Sequence, residues 1–191
     1  MTEITKSLEE LPSAIQRFIL QWGDMGTQWG VNRTVAQIHA LLFISESPLN
    51  AEQIAETLGV ARSNVSNSLK ELQTWQIIER VPVPGDRRDH FTAEQDVWEL
   101  AKRIANIRKS REVDPALRTL ETCLAEAKHD RRVSAGQRKR LQDMYELTSS
   151  MDRWYGQMLN VPASTLNKMM KMGDRIVGML GFGKKSNRRT A

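Results

Sequence analysis

The stretch Ala51–Leu72, AEQIAETLGVARSNVSNSLKEL, decides the fold. Ile54, Ala55, Leu58, Gly59, Val60, Val65, Leu69 and Leu72 occupy the positions that two short helices crossing through a tight turn must bury or bend. Ala55 is small where the helices approach, Gly59 supplies the positive φ of the turn, and Val60 fills the corner between them. Val65, Leu69 and Leu72 recur at helical spacing as the inward stripe of the second helix. The same periodicity turns Arg62, Ser63, Asn64, Ser66, Asn67 and Lys70 outward. A merely solvated helix face mixes in glutamate, whereas this one has no acid before Glu71. Short polar and basic groups of this kind reach base edges and phosphates, so the pattern reads as a helix-turn-helix whose second helix contacts duplex DNA.

Downstream, Ile77 to Val83 is β-branched and punctuated by Pro82. Pro84-Gly85-Asp86 is a turn, and the return strand runs through His90, Phe91 and Thr92, which predicts a two-stranded wing. Upstream, Leu8, Leu11, Ile15, Phe18, Ile19, Trp22 and Met25 predict one amphipathic helix from Ser7 to Trp29, weakened at its far end by Gly23, Gly26 and Gly30. A second helix carries Val35, Ile38, Leu41, Leu42 and Ile44 and closes at Ser47-Pro48. From Glu94, helical spacing continues through Val97, Leu100, Ile104 and Ile107 until Asp114-Pro115 breaks the run, after about 28 Å of rod. Further helices are expected over 116–128, 137–159 and 164–180, the last with a face of Met169, Met170, Met172 and Met179, followed by a disordered basic tail over 181–191.

The expected fold class is therefore mainly α: a winged helix-turn-helix with a two-stranded β wing, flanked by N- and C-terminal dimerisation helices. The expected boundaries are 1–34 for an N-terminal dimerisation helix, 35–93 for the DNA-binding domain, 94–180 for a C-terminal helical dimerisation region and 181–191 for the tail. The flanking helices are too many to serve one small domain, which points to a homodimer.

The helices, the hairpin and Gly85-Asp86-Arg87-Arg88-Asp89-His90-Phe91 resemble the MarR superfamily of winged helix-turn-helix transcription regulators. Within it, Pro84 to Arg88 and Phe91 to Leu100 resemble the GbsR branch, in which a Gly-Asp-Arg wing leads into an acidic-aromatic helix start. The resemblance covers about residues 20 to 110. It implies a homodimer that binds a double-stranded operator, usually as a repressor, with some relatives sensing choline. Carried over position by position, it makes Arg87 and Arg88 the wing residues that enter the minor groove or clamp its phosphates, with Asp86 orienting them. Guanidinium groups at a hairpin tip suit a narrow electronegative groove because they are weakly hydrated. Ala61 departs from the serine or threonine usual at the start of the recognition helix, which removes a capping bond worth about 1 kcal/mol. Thr34-Val35-Ala36-Gln37 departs from the GbsR pattern before the first core helix.

The 191 residues carry 28 Lys and Arg against 23 Asp and Glu, a formal charge of +5 that makes a polyanionic partner plausible without demanding one. Residues 100 to 140, with 12 basic and 5 acidic side chains, hold most of the excess. Lys102, Arg103, Arg108, Lys109 and Arg111 follow the wing and read equally as flanking phosphate contacts or a solvated face. The lone Cys123 forms no intrachain disulfide, and it shares a stripe with Leu117, Leu120 and Leu124 as expected for a buried structural thiol. With no signal-like or membrane-spanning run, the cytoplasm is the expected compartment, with no membrane association. His39, His90 and His129 lack catalytic or metal-ligand company, so neither enzyme, cofactor nor metal is expected. Trp22, Trp29, Trp98, Trp154 and Tyr155 are effector candidates: they could form a cation-π cage for a quaternary ammonium ligand where the flanking helices meet the winged domain, although core and interface packing is the more usual role of such side chains. The rival class is a winged helix that binds protein without specific DNA binding.

Overall fold

The computed structural model describes residues 7–162 together with 164, 165, 168, 169, 172 and 173. Most of the helix expected over 164–180, including Met170 and Met179, and all of the tail lie outside the described residues. The chain divides into two compact units, one running through Ile107 and the other starting at Arg108.

In the first unit, the expected Ser7–Trp29 helix is two pieces. Leu11, the residue before Pro12, is extended (ψ 155°), as a following proline requires. A 3-10 turn, Leu8–Glu10, therefore precedes α1, Ser13–Gln28. The glycines of α1 do not fray it. Gly23 and Gly26 are buried, and a Cβ on Gly26 would lie 2.5 Å from the Cβ of Ala36. They are the notch through which α1 crosses α2, Arg33–Ile44. The side chain of Asn32 caps α2 by accepting from Thr34 N at 2.8 Å. Helix α2 supplies Val35, Ile38, Ala40, Leu41 and Leu42 to the core, where they meet Ile19, Ile54, Val65, Leu72 and Phe91.

β1, Leu49–Asn50, leads into α3, Ala51–Leu58. Asn50 caps α3 by accepting from Glu52 N and Gln53 N, both at 3.0 Å. Gly59 follows with φ 63°, the left-handed turn the sequence calls for, and α4 spans Arg62–Thr74. The wing is β2, Ile78–Val83, antiparallel to β3, Asp86–Ala93, turning at Gly85 with φ 86°. The register slips between Val81 and Val83, around Pro82, which has no N–H to give the ladder. The sheet has three strands, not the expected two: β1 pairs along β3 with Leu49 opposite Phe91, giving the order β1-β3-β2. This pairing ties the wing to the start of α3. α5, Val97–Arg108, is capped by Asp96 Oδ1, which accepts from Trp98 N and Glu99 N at 2.8 and 3.1 Å. Leu100 joins the core, so α1 and most of α5 belong to the same compact unit as the winged helix.

His39 lies in this core at the centre of an aromatic stack, with ring centroids 6.1 Å from Trp22 and 6.3 Å from Phe43. Burial holds its imidazole down at a pKa of about 4, and no hydrogen-bond partner meets its Nε2 among the described residues. The native state thus keeps His39 neutral while the unfolded chain protonates near pH 6.5. The resulting stability is complete above about pH 6.5 and is lost as the pH falls from there towards 4. Between pH 7 and pH 5 the loss is about 2 kcal/mol, because each pH step between the two pKa values is worth about 1.4 kcal/mol. Urea unfolding at the two pH values, with His39→Phe as the variant in which that increment disappears, checks this.

The second unit opens with a π-helical turn, Lys109–Val113, rather than a break at Asp114-Pro115. Pro115 sits in the first turn of α6, Asp114–His129, where its missing N–H removes no helical bond. α7, Ala135–Leu159, starts at a capping box in which Ser134 Oγ accepts from Gln137 N at 3.1 Å. Lys109 Nζ joins the elements by reaching Asp114 at 2.6 Å and Asp152 at 2.8 Å. Cys123 is half-buried, less enclosed than expected. Ala127 is the only buried residue among the described residues of this unit.

Candidate nucleic-acid interface

The geometry of α4 follows from its inward stripe. With Val65, Leu69 and Leu72 each 3% exposed or less, helical rotation leaves Arg62, Ser63, Asn64, Ser66, Asn67 and Lys70 all exposed. Ser68, which the sequence did not single out, is buried on the inner side. The side chains of Asn64, Asn67 and Lys70 have no hydrogen-bonding or ion-pair partner among the described residues, so their donors and acceptors are available to another molecule. No side chain caps the start of α4 at Ala61. An uncapped helix N-terminus presents backbone N–H groups and the positive end of the helix dipole outward, the arrangement that receives phosphate.

The wing arginines are placed differently from each other. Arg87 is exposed and has no partner among the described residues. Arg88 is held by Asp86, whose Oδ1 accepts from Arg88 N at 2.9 Å while both carboxylate oxygens accept from Arg88 Nε at 3.0 and 2.9 Å. These bonds keep the Asp86 carboxyl down at a pKa of about 2. Asp86, expected to orient both wing arginines, hydrogen-bonds Arg88 and not Arg87 among the described residues. His90 is buried behind them, its Nδ1 2.9 Å from Arg88 O. Arg80, an exposed wing residue that the motif did not point to, pairs with Asp89 at 3.1 Å.

Glu52, in the first turn of α3, is likewise unexpected. Its Oε1 accepts from Arg62 Nη1 at 3.2 Å and its Oε2 from Arg88 Nη1 at 3.1 Å. An acid in the first turn of a helix reads from sequence as a dipole partner, and nothing in the chain signals a contact to a residue 36 positions away. Glu52, Arg62, Ser66, Lys70, Gln73 and Arg88 line one open groove between α3, α4 and the wing.

Trp22, Trp29 and Trp98 belong to the first unit, Trp154 and Tyr155 to the second. Trp22, partly buried against the core, makes ring contacts with Phe18 and His39. Trp29 and Trp154 are 46% and 59% exposed. Trp154 and Tyr155 meet edge to face at 6.5 Å, and burial raises the Tyr155 phenol above its ordinary value. Much of the basic segment is neutralised locally: Lys102 pairs with Glu99, Arg103 with Glu94, Lys109 with Asp114, Arg132 with Asp130 and Lys139 with Asp143. Among the described residues, no cluster of His, Cys, Asp and Glu could hold a metal ion, and no helix is long and apolar enough to cross a membrane.

Residues 29–89, about a third of the chain, match the MarR family model, and the fold of the first unit is a winged helix-turn-helix. The chain is 22% identical over 89 residues to a putative HTH-type transcriptional regulator, YvaV, of Bacillus subtilis (strain 168), covering 47% of this chain and 50% of that one. It is 24% identical over 93 residues to the HTH-type transcriptional repressor OpcR of the same organism, covering 49% of this chain and 50% of that one. The chain thus spans about half the length of the curated relatives it matches. A crystal structure of a transcriptional regulator superposes with a TM-score of 0.59 at 19% identity, covering 76% of this chain and 95% of that one, a likeness of fold.

Proposed function

We propose that this MarR-type winged-helix protein is a homodimeric, sequence-specific DNA-binding regulator of transcription that acts by repression. The observation that carries the reading is the exposed α4 face, with the unpartnered Asn64, Asn67 and Lys70 beside the uncapped helix start, and the free Arg87 on the wing. Amide side chains match the paired donor and acceptor of adenine in the major groove, while Lys70 and Arg87 supply charge to phosphates or to the minor groove. The similarity to OpcR, a transcriptional repressor, supports the direction of control. The wing sequence from Pro84 to Arg88 supports placement in the GbsR branch. A protein-docking winged helix would need neither this unpaired polar face nor a free wing arginine.

The roles divide by chemistry. Asn64→Ala and Asn67→Ala should relax base choice at one or two operator positions, each at about 1–3 kcal/mol of discrimination. Lys70→Ala and Arg87→Ala should weaken binding uniformly across sequences. Selection from a randomised duplex library with the wild type and each variant reads both effects. An unchanged selected motif with Asn64→Ala and Asn67→Ala together would contradict base reading by α4.

Dimerisation is supported by α7. Met144, Leu147, Met151 and Trp154, spaced three and four residues apart, are each more than half exposed. They form a second apolar stripe beside the half-buried one of Leu141, Tyr145, Thr148 and Tyr155. The unit buries a single residue among those described, so its stripe needs a partner surface, and a second copy of the chain supplies one.

A further inference from the structure

We infer that Glu52 is a built-in competitor for DNA, its carboxylate occupying the guanidinium groups of Arg62 and Arg88 in the free protein. The inference rests on the DNA-binding reading above and concerns how tightly and how selectively that surface binds. Each oxygen of Glu52 takes one arginine, at 3.2 Å from Arg62 and 3.1 Å from Arg88, across an open groove shared with Ser66 and Lys70. A carboxylate with one guanidinium on each oxygen stands in for a phosphate between the same two groups. The pairs are exposed, with side-chain accessibilities of 65% for Arg62, 52% for Arg88 and 46% for Glu52, and pairs in water add little to folding. Their larger consequence is electrostatic. Two positive charges at the junction of α4 and the wing are cancelled by Glu52 and Asp86, leaving Lys70 and Arg87 as the uncompensated cations nearby.

A phosphate entering the groove must displace Glu52 from at least one arginine and then lie close to a displaced carboxylate. Weak, sequence-independent binding is thereby suppressed, because phosphate contact alone returns only what the internal pairs already had. Base contacts by α4 then supply the margin that makes binding to a correct site favourable. Glu52 is on this account a specificity-determining residue that need not touch a base. The isosteric Glu52→Gln change keeps the side-chain length, frees Arg62 and leaves Arg88 held by Asp86 alone.

The test compares wild type, Glu52→Gln and Glu56→Gln on a duplex selected by the wild-type protein and on mixed-sequence duplex. Glu56 is exposed on the same helix and its side chain has no hydrogen-bonding or ion-pair partner among the described residues, so its variant makes the same change in net charge without freeing an arginine. Glu52→Gln should bind mixed-sequence duplex about tenfold more tightly, with a log–log salt slope steeper by about one, and should lose preference for the selected duplex. Glu56→Gln should change each by less than about twofold, and thermal unfolding of both variants should follow wild type. If wild type binds DNA and Glu52→Gln binds no more tightly, or more weakly, Glu52 is a brace for the arginines and the inference fails while the DNA-binding reading survives. If neither protein shows salt-sensitive binding, both fail. A gain in Glu56→Gln equal to that in Glu52→Gln would also overturn the inference, since net charge alone would then account for it.

Discussion

Replacing Leu147 and Met151 together with glutamate should convert the protein from dimer to monomer and weaken operator binding by about a hundredfold or more. Both side chains are more than half exposed on α7, one helical turn apart, in the middle of the stripe that runs from Met144 to Trp154. Four carboxylates brought together across a two-fold axis would have to be desolvated against one another, at a cost no rearrangement of the neighbouring methionines offsets. The loss in DNA binding follows from linkage of two half-sites. A dimer places two recognition helices in successive major grooves about 34 Å apart, so that the second contact is intramolecular. Such coupling raises apparent affinity by about 10²–10⁴. Sedimentation and titration of a two-half-site duplex read the two effects separately. A double variant that remains dimeric would remove α7 from the interface.

Gly26→Val should destabilise the first unit by about 3 kcal/mol, at the upper end of what overpacking a close helix crossing costs. The first added carbon would sit 2.5 Å from Ala36 Cβ, and Ala36 is itself 5% exposed on a helix whose neighbours fill the core. Neither partner has a rotamer through which to yield. Gly23 provides the contrast: its nearest obstacle is the Cγ of Gln37, at 2.6 Å, in a side chain that can swing away. Gly23→Ala should therefore stay within about 1 kcal/mol of wild type, the helix propensity gained offsetting the shift of Gln37. Denaturant unfolding of both variants checks the pair, and equal losses would mean that α1 does not cross α2 through Gly26.

These glycines also show why part of the fold was illegible in the chain. Glycine at helical spacing reads as weakness until a crossing helix is known, and only Ala36, ten residues on, reveals that Gly26 is a point of closest approach. The α3 and α4 segments were legible because their signals are local: a stripe of apolar residues and a glycine that must be left-handed, at φ 63°. Strand β1 was not, since two residues carry no period and their pairing with Phe91 and His90 is set by the wing. The outward face of α4 came from the same periodicity as its core. The wing was legible as a hairpin, yet the difference between Arg87 and Arg88 depends on Asp86 and on Glu52, a residue from another helix. The aromatic side chains read as candidates from composition alone; in the structure Trp22 packs beside the core against Phe18 and His39, and Trp154 and Tyr155 lie in the second unit.

Whether α4 and the wing together hold duplex DNA is read out by the salt dependence of binding in a Lys70→Ala/Arg87→Ala double variant. Affinity for a duplex selected by the wild type would be measured across a series of salt concentrations for both proteins. Wild type should lose affinity linearly on a log–log plot, with a slope of about −0.9 for each phosphate neutralised. The double variant should bind more weakly at every salt concentration, with a slope shallower by about two if each cation meets one phosphate. Binding that ignores salt, or a double variant with the wild-type slope and affinity, would contradict a joint hold on DNA by α4 and the wing.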